Sequence, residues 1–173
     1  LWARTWYREG AINLRFGLFW EPASIERPTL ESRAIYSSYP PGVLLPIHAI
    51  STLLHRDPSL KMVMAYGLIG QWVAATAASL TVLLVARRMR GGLFAATLLA
   101  IIPAVGILFL PSPFFEFQMG YLHDVAAIPL FALYILFEAV RDASDRKGIR
   151  RLCSAAQGVL SFLGLLTDWL FAF

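Results

Sequence analysis

The sequence has 173 residues, of which 58% are hydrophobic, 13% aromatic and only 15% charged, against roughly a quarter charged in soluble domains. This composition places the chain among membrane proteins. A single cysteine, Cys153, excludes an internal disulfide framework and a multi-cysteine metal site. The formal net charge of +4 does not indicate nucleic-acid binding, because Lys and Arg lie at the ends of apolar runs.

Residues 1–61 are expected to form an extracytoplasmic loop that carries short helices along the membrane. Leu1–Gly10 is predicted to be a surface helix, since Trp2 and Trp6 share one face and Trp prefers the headgroup level. Residues 17–38 alternate in charge and contain two prolines, which predicts an irregular loop.

The stretch "YSSYPPGVLLPIHAI" at 36–50 ends in an apolar run that is too short to cross a bilayer. It predicts a short helix at the membrane boundary, which Pro40 and Pro41 begin and Pro46 limits or bends.

The rest of the chain predicts an all-α, multi-spanning transmembrane bundle. Asp57 and Pro58 are expected to start its first helix as N-cap and first helical residue. Small residues in the first and fourth spans permit close helix packing. Four apolar runs have the length that a bilayer requires, at about 62–86, 92–110, 117–137 and 152–173.

Two basic connections predict the orientation of these spans. Residues 87–90 and 141–151 together hold eight of the fifteen Lys and Arg residues, so both should face the cytoplasm. Residues 1–61 and the outer ends of the third and fourth spans then face outward. Because the chain begins without methionine and stops inside an apolar run, we expect it to be an internal part of a longer protein.

Two carboxylates are predicted to reach one depth from neighbouring spans. Asp124 precedes Arg141 by seventeen residues and Asp168 follows Arg151 by seventeen, about 25 Å of helix in each case. A carboxylate in an apolar helix is costly and normally faces a cavity or partner, which favours a site near the outer ends of both helices. The structural alternative is that each acid merely ends its helix in the wet interface.

Further polar residues lie close to Asp124. His123 adjoins it, and Glu116 precedes both, so these three side chains are a candidate set of metal ligands, although their spacing is not diagnostic. Neighbouring helical residues point about 100° apart, so His123 and Asp124 need not face the same ligand.

In order and topology, several short motifs resemble the C-type glycosyltransferase (GT-C) superfamily, in particular its protein O-mannosyltransferase and aminoarabinose transferase-like branch (glycosyltransferase family 39-like). The motifs are "ARTWYREG" at 3–10, "YSSYPPGVLLP" at 36–46, "LLVARRMRGG" at 83–92, "MGYLHDVAAIPLFAL" at 119–133 and "FLGLLTDWLFAF" at 162–173.

The resemblance implies an enzyme of the cell membrane. Such an enzyme transfers a sugar from a polyprenyl-phosphate donor to a lipid, protein or glycan acceptor on the extracytoplasmic side. It also implies a catalytic acid upstream of Leu1. The substrate-binding residues carried over are Tyr39, Pro40, Pro41 and Asp124, with His123 and Asp168 as further candidates. A divalent metal ion is the one candidate cofactor.

Two other classes of function remain open on the residues alone. A transporter or flippase would use Asp124 and Asp168 to bind an ion or substrate, and would have polar residues and broken helices across the midplane. A membrane scaffold subunit would not require acids to converge.

Overall fold

A computed structural model describes residues 2–19, 35–36, 41–89, 92–110 and 123–168, with the side chains of residues 2, 18, 19, 35, 36, 123 and 124 outside the description. This part of the chain is predominantly α-helical, as the composition predicts. Its elements are α1 (Trp2–Glu9), β1 (Leu18–Phe19), β2 (Ile35–Tyr36), a 3₁₀ turn (Pro41–Val43), α2 (Leu45–Leu54), α3 (Leu60–Arg88), α4 (Leu93–Phe109), α5 (His123–Ala143) and α6 (Lys147–Thr167).

The four long helices form a row in the order α4, α3, α5, α6. The centre of α3 is rich in small residues, and Ala74, Ala75 and Ala77 are fully buried there, which lets the neighbouring helices approach closely. Gln71, also buried, donates its side-chain N–H to the carbonyl oxygen of Ile107 at 2.8 Å. That oxygen belongs to the last turn of α4, where carbonyls lack a partner within the helix.

A glutamine also joins α5 to α6. The side chain of Gln157 is buried on α6 and donates to the carboxylate of Glu138 on α5 at 2.6 Å. Arg141 donates to the Gln157 amide oxygen at 3.1 Å. Because only residues 144–146 connect the two helices, these contacts near the connection show an antiparallel hairpin.

The first helices pack into a separate small core, the N-terminal cluster, formed by Ala3, Trp6, Ala11, Leu44, Ile47 and Val63. Trp6 is completely buried, and its indole N–H donates to the carbonyl oxygen of Gly17 at 2.8 Å. The rings of Phe16 and His48 meet it edge-on. Trp6 therefore fills a protein core and does not occupy an interfacial position, whereas the location of α1 along the membrane surface stays a prediction.

The start of α3 also differs from the prediction. Its N-cap is Ser59, whose hydroxyl accepts from the backbone N–H of Met62 at 3.2 Å. Asp57 instead accepts a hydrogen bond from the Arg8 guanidinium at 2.7 Å, with Arg4 3.7 Å away. The acid predicted to cap α3 therefore ties α1 to the loop before α3.

Pro46 and residues 17–38 also differ from their predicted structures. Pro46 lies in the first turn of α2 and begins that helix instead of ending or bending it. The predicted irregular loop at 17–38 contains an antiparallel pair, with Leu18 opposite Tyr36 and Phe19 opposite Ile35. Residues 20–34 and 37–38 lie outside the described part.

Two of the four predicted spans, α3 and α6, are long and apolar enough to cross a membrane. In the most apolar stretch of each helix, only 28% is buried for α3 and 22% for α6, whereas a core helix of a soluble protein is mostly buried. α6 begins at Lys147, five residues before the predicted start, and ends at Thr167. The predicted span ran to 173, and it is wrong at Asp168, which is not helical. The hairpin partner α5 continues to Ala143 instead of ending near 137.

We expect Trp6→Phe to loosen the N-terminal cluster, because it removes the donor that satisfies the buried Gly17 carbonyl. An unsatisfied buried acceptor costs about 1–3 kcal/mol, so amide exchange in α1 and α2 should accelerate by roughly tenfold. Hydrogen-exchange mass spectrometry in detergent measures this. Trp72→Phe, at a side chain 56% exposed on α3, should leave that exchange unchanged. Unaltered exchange in the Trp6 variant would contradict the role given to this hydrogen bond.

Candidate functional site

The two acids highlighted by the sequence lie at the same end of the α5–α6 hairpin. Measured from the Glu138–Gln157 contact, Asp124 is fourteen residues back along α5 and Asp168 is eleven residues onward along α6. At 1.5 Å per residue these are about 21 and 16 Å, so the two positions differ by less than one helical turn. By this count, the backbones of Asp124 and Asp168 lie within one helical turn of each other in depth.

The 3₁₀ turn lies at this same end. It contacts the end of α6 and also α5. Gly42, the middle residue of the turn, lies directly against the backbone of Leu166 and Thr167: a Cβ atom at this position would be 2.7 Å from the Thr167 nitrogen and would clash with the Leu166 carbonyl. Only a residue without a side chain permits this approach. The contact brings Pro41 to the residue pair that precedes Asp168.

Asp168 ends α6. Its backbone is extended, with φ −149° and ψ 140°, and its N–H donates to the Gly164 carbonyl at 2.8 Å. The residue is only 6% exposed. An acid that simply ended its helix in the wet interface would be solvated, so the burial of Asp168 favours a site over that structural alternative.

Asp124 and His123 form the start of α5 as it is described. Residues 111–122 and the side chains of His123 and Asp124 lie outside the description, so the structure gives the backbone position of Asp124 and not its partners.

Val125, the residue after Asp124, shows where this end of α5 lies along α3. Val125 is buried against Ala74, the fifteenth residue of α3, and Ile107 of α4 packs on the same pair. The acid-bearing ends of α5 and α6 thus lie beside the middle of α3, which continues for fourteen residues, about 21 Å, beyond them. The N-terminal cluster covers the far end of this extension at Val63.

Other predicted site residues are only partly placed. Pro41 begins the 3₁₀ turn and is half-buried, whereas Tyr39 and Pro40 lie outside the described residues. Glu116, the third predicted metal ligand, also lies outside them. Within the described residues, no group of three or more His, Cys, Asp and Glu side chains gathers to hold a metal ion.

Sequence reasoning missed the residues that assemble this end of the molecule. A glycine directly after two prolines is a signal for close backbone approach, and this signal could have identified Gly42. Gln71 lies inside an apolar run and carries no such signal, yet it is buried one helical turn from Ala74 and holds α4 in place.

A cavity of about 390 Å³ between α3 and α4, lined by Val85, Met89, Leu99 and neighbouring residues, lies toward the opposite ends of these helices from the acids.

Comparison with protein-family models, with curated proteins and with solved structures finds no match for this chain.

We expect Gly42→Ala to destabilise the protein, because the new methyl group would overlap rigid backbone of α6. Overpacking of this kind costs about 1–3 kcal/mol, which corresponds to a fall in the melting temperature on the order of 5 °C. Circular-dichroism melting in detergent measures it. Gly158→Ala is the matched control, since its Cβ meets no atom within 4 Å, and the helix should gain about 0.5–1 kcal/mol. Equal melting of the Gly42 variant and the parent would contradict the contact.

Proposed function

We propose that the protein is a multi-spanning membrane glycosyltransferase that takes a sugar from a polyprenyl-phosphate donor on the extracytoplasmic side. The observation that carries the proposal is the convergence of the 3₁₀ turn, the buried Asp168 and the first turn of α5 at one end of the helix row. The resemblance assigns the proline turn and Asp124 to the donor side, with Asp168 as a further candidate.

The membrane placement rests on length and on exposed apolar surface. α5 packs along both α3 and α6, the two helices long and apolar enough to cross, so a bilayer around them would enclose α5 as well. α4, with 17 residues or about 25 Å, packs along α3. Large apolar side chains on all four helices are exposed, which is costly in water and favourable in lipid. Examples are Ile69, Phe94, Phe131 and Phe162.

The site has the chemical features that this reaction requires. The exposed apolar faces of the helices suit an isoprenoid chain. Carboxylates at positions 124 and 168 would accept hydrogen bonds from sugar hydroxyls or hold a metal ion against the donor phosphate. Partial removal of water strengthens such contacts. The extension of α3 and the N-terminal cluster would form one wall at the outer boundary, where a lipid-linked donor and a polar acceptor can meet.

We expect Asp124→Asn and Asp168→Asn each to reduce donor turnover by about a hundredfold or more, because a neutral amide cannot replace a charged acceptor or metal ligand. The full-length protein in proteoliposomes is given polyprenyl-phosphate donors that carry radiolabelled hexoses or pentoses, and loss of labelled donor is measured. Asp145→Asn, an exposed acid in the α5–α6 connection, should retain full turnover. Unchanged turnover in either site variant would remove that acid from the site, and a parent protein inactive on every donor would overturn the proposal.

A transporter or flippase is the second candidate, and one observation favours it. Transporters bind substrate where helices are interrupted near the membrane midplane, and here the ends of α5 and α6 lie beside the middle of α3. In the same vesicles a flippase would move the intact labelled lipid to the other leaflet, whereas the transferase separates the label from the lipid.

The orientation predicts the labelling of single cysteines. In a Cys153→Ala background, Asp145→Cys should resist an impermeant maleimide in intact cells and react after the cells are opened, because the α5–α6 connection faces the cytoplasm. Leu53→Cys, at a side chain 79% exposed near the end of α2, should react in intact cells. The reverse pattern would invert the topology and place the acids on the cytoplasmic side.

A further inference from the structure

A basic pocket lies at the end of the α5–α6 hairpin opposite Asp124 and Asp168. It is open, has a volume of about 370 Å³ and is lined by Arg141, Arg150, Arg151 and Ser154. The residues come from the last turn of α5 and the first two turns of α6. Three arginine residues and one serine therefore line a single space.

Arg141 is held in place by residues of α5 and α6. Its guanidinium donates to the Gln157 amide oxygen at 3.1 Å and to the Glu138 carboxylate, and its Nε lies 3.8 Å from Asp142. Gln157 is buried and also donates to Glu138 at 2.6 Å. A side chain fixed by several partners loses little further entropy when it contacts a ligand.

Arg150 and Arg151 are exposed, and in the described part of the chain neither has a carboxylate within ion-pair distance. The acids at this end of α5 are Glu138 and Asp142, and both lie within ion-pair distance of Arg141. Asp145, in the connection, forms no ion pair with a described residue. The pocket thus carries a net positive charge.

Apolar surface adjoins this charge. Leu152, the residue after Arg151, is 69% exposed, and Val159 and Phe162 are exposed further along α6. In the proposed topology the pocket lies at the inner membrane surface, with these side chains beside the acyl chains. A ligand with a phosphate and two acyl chains would contact both regions.

We propose that this pocket binds the phosphate of an anionic phospholipid headgroup of the inner leaflet. Arginine forms two parallel hydrogen bonds to phosphate oxygens, and the Ser154 hydroxyl supplies a further donor. Basic pockets between membrane helices on this side are suited to anionic headgroups. The inference rests on the membrane placement under the proposed function and not on the transfer reaction.

The test uses the full-length protein in nanodiscs of phosphatidylcholine with phosphatidylglycerol. After detergent exchange, native mass spectrometry measures retained phosphatidylglycerol relative to phosphatidylcholine. Arg150→Gln with Arg151→Gln should lower this ratio by roughly tenfold to thirtyfold. Arg87→Gln with Arg88→Gln is the matched control, since it removes the same charge at the end of α3 on the same membrane side and should leave the ratio unchanged.

An equal fall in the phosphatidylglycerol ratio in both double variants would show a general attraction to anionic lipid and would overturn the proposed pocket. An unchanged ratio in both double variants would also overturn it. Inorganic phosphate is added to protein in pure phosphatidylcholine; a rise in melting temperature as large as that given by phosphatidylglycerol would assign the pocket to free phosphate instead. If the double variant fails to fold, Ser154→Leu, which narrows the pocket without changing its charge, should also lower the ratio. Donor turnover is measured on the same samples: a parent protein that turns over donor but does not retain phosphatidylglycerol selectively overturns this inference alone, whereas selective retention without any turnover overturns the proposed function alone.

Discussion

The approach of Gly42 to the backbone of Leu166 and Thr167 is the constraint on which the end of the molecule that carries Asp168 depends. It joins the turn before α2 to the last residues of the hairpin, while α3 holds the hairpin through Ala74 and Val125. The N-terminal cluster includes Leu44 and Ile47, which follow the turn, and Val63 of α3, so the Gly42 contact and the packing on Val63 together position that cluster over α3. A side chain at residue 42 would separate the segment that carries Pro41 from Asp168.

Within the helix row, each outer pair of helices is joined by one buried glutamine. Gln71 binds a carbonyl at the end of α4, and Gln157 joins Glu138 and Arg141 on α5. In lipid a polar group without a partner is costly, so a glutamine satisfied across an interface favours one pairing of helices over sliding alternatives. Small residues provide the close approach and the amides fix the register. The central pair, α3 and α5, packs through Ala74 and Val125.

The sequence predicted the long helices well because apolar length and basic ends are local features: 62–86 became α3 (Leu60–Arg88), and 92–110 became α4 (Leu93–Phe109). The sequence-based predictions failed where the role of a residue depends on a partner far away along the chain. Asp57 looked like an N-cap but pairs with Arg8, forty-nine residues away, and Trp6 looked like an interfacial anchor but is covered by α2. The contact of the proline turn with α6 could not be predicted, because no local pattern specifies it.

The position of Asp168 separates it from an ordinary helix-ending residue. It directly follows the last residue of α6, yet it is only 6% exposed. A buried carboxylate is costly unless partners surround it, and the approach of Gly42 to Leu166 and Thr167 holds the 3₁₀ turn beside this residue. The burial of Asp168 therefore accompanies the same backbone contact that positions Pro41.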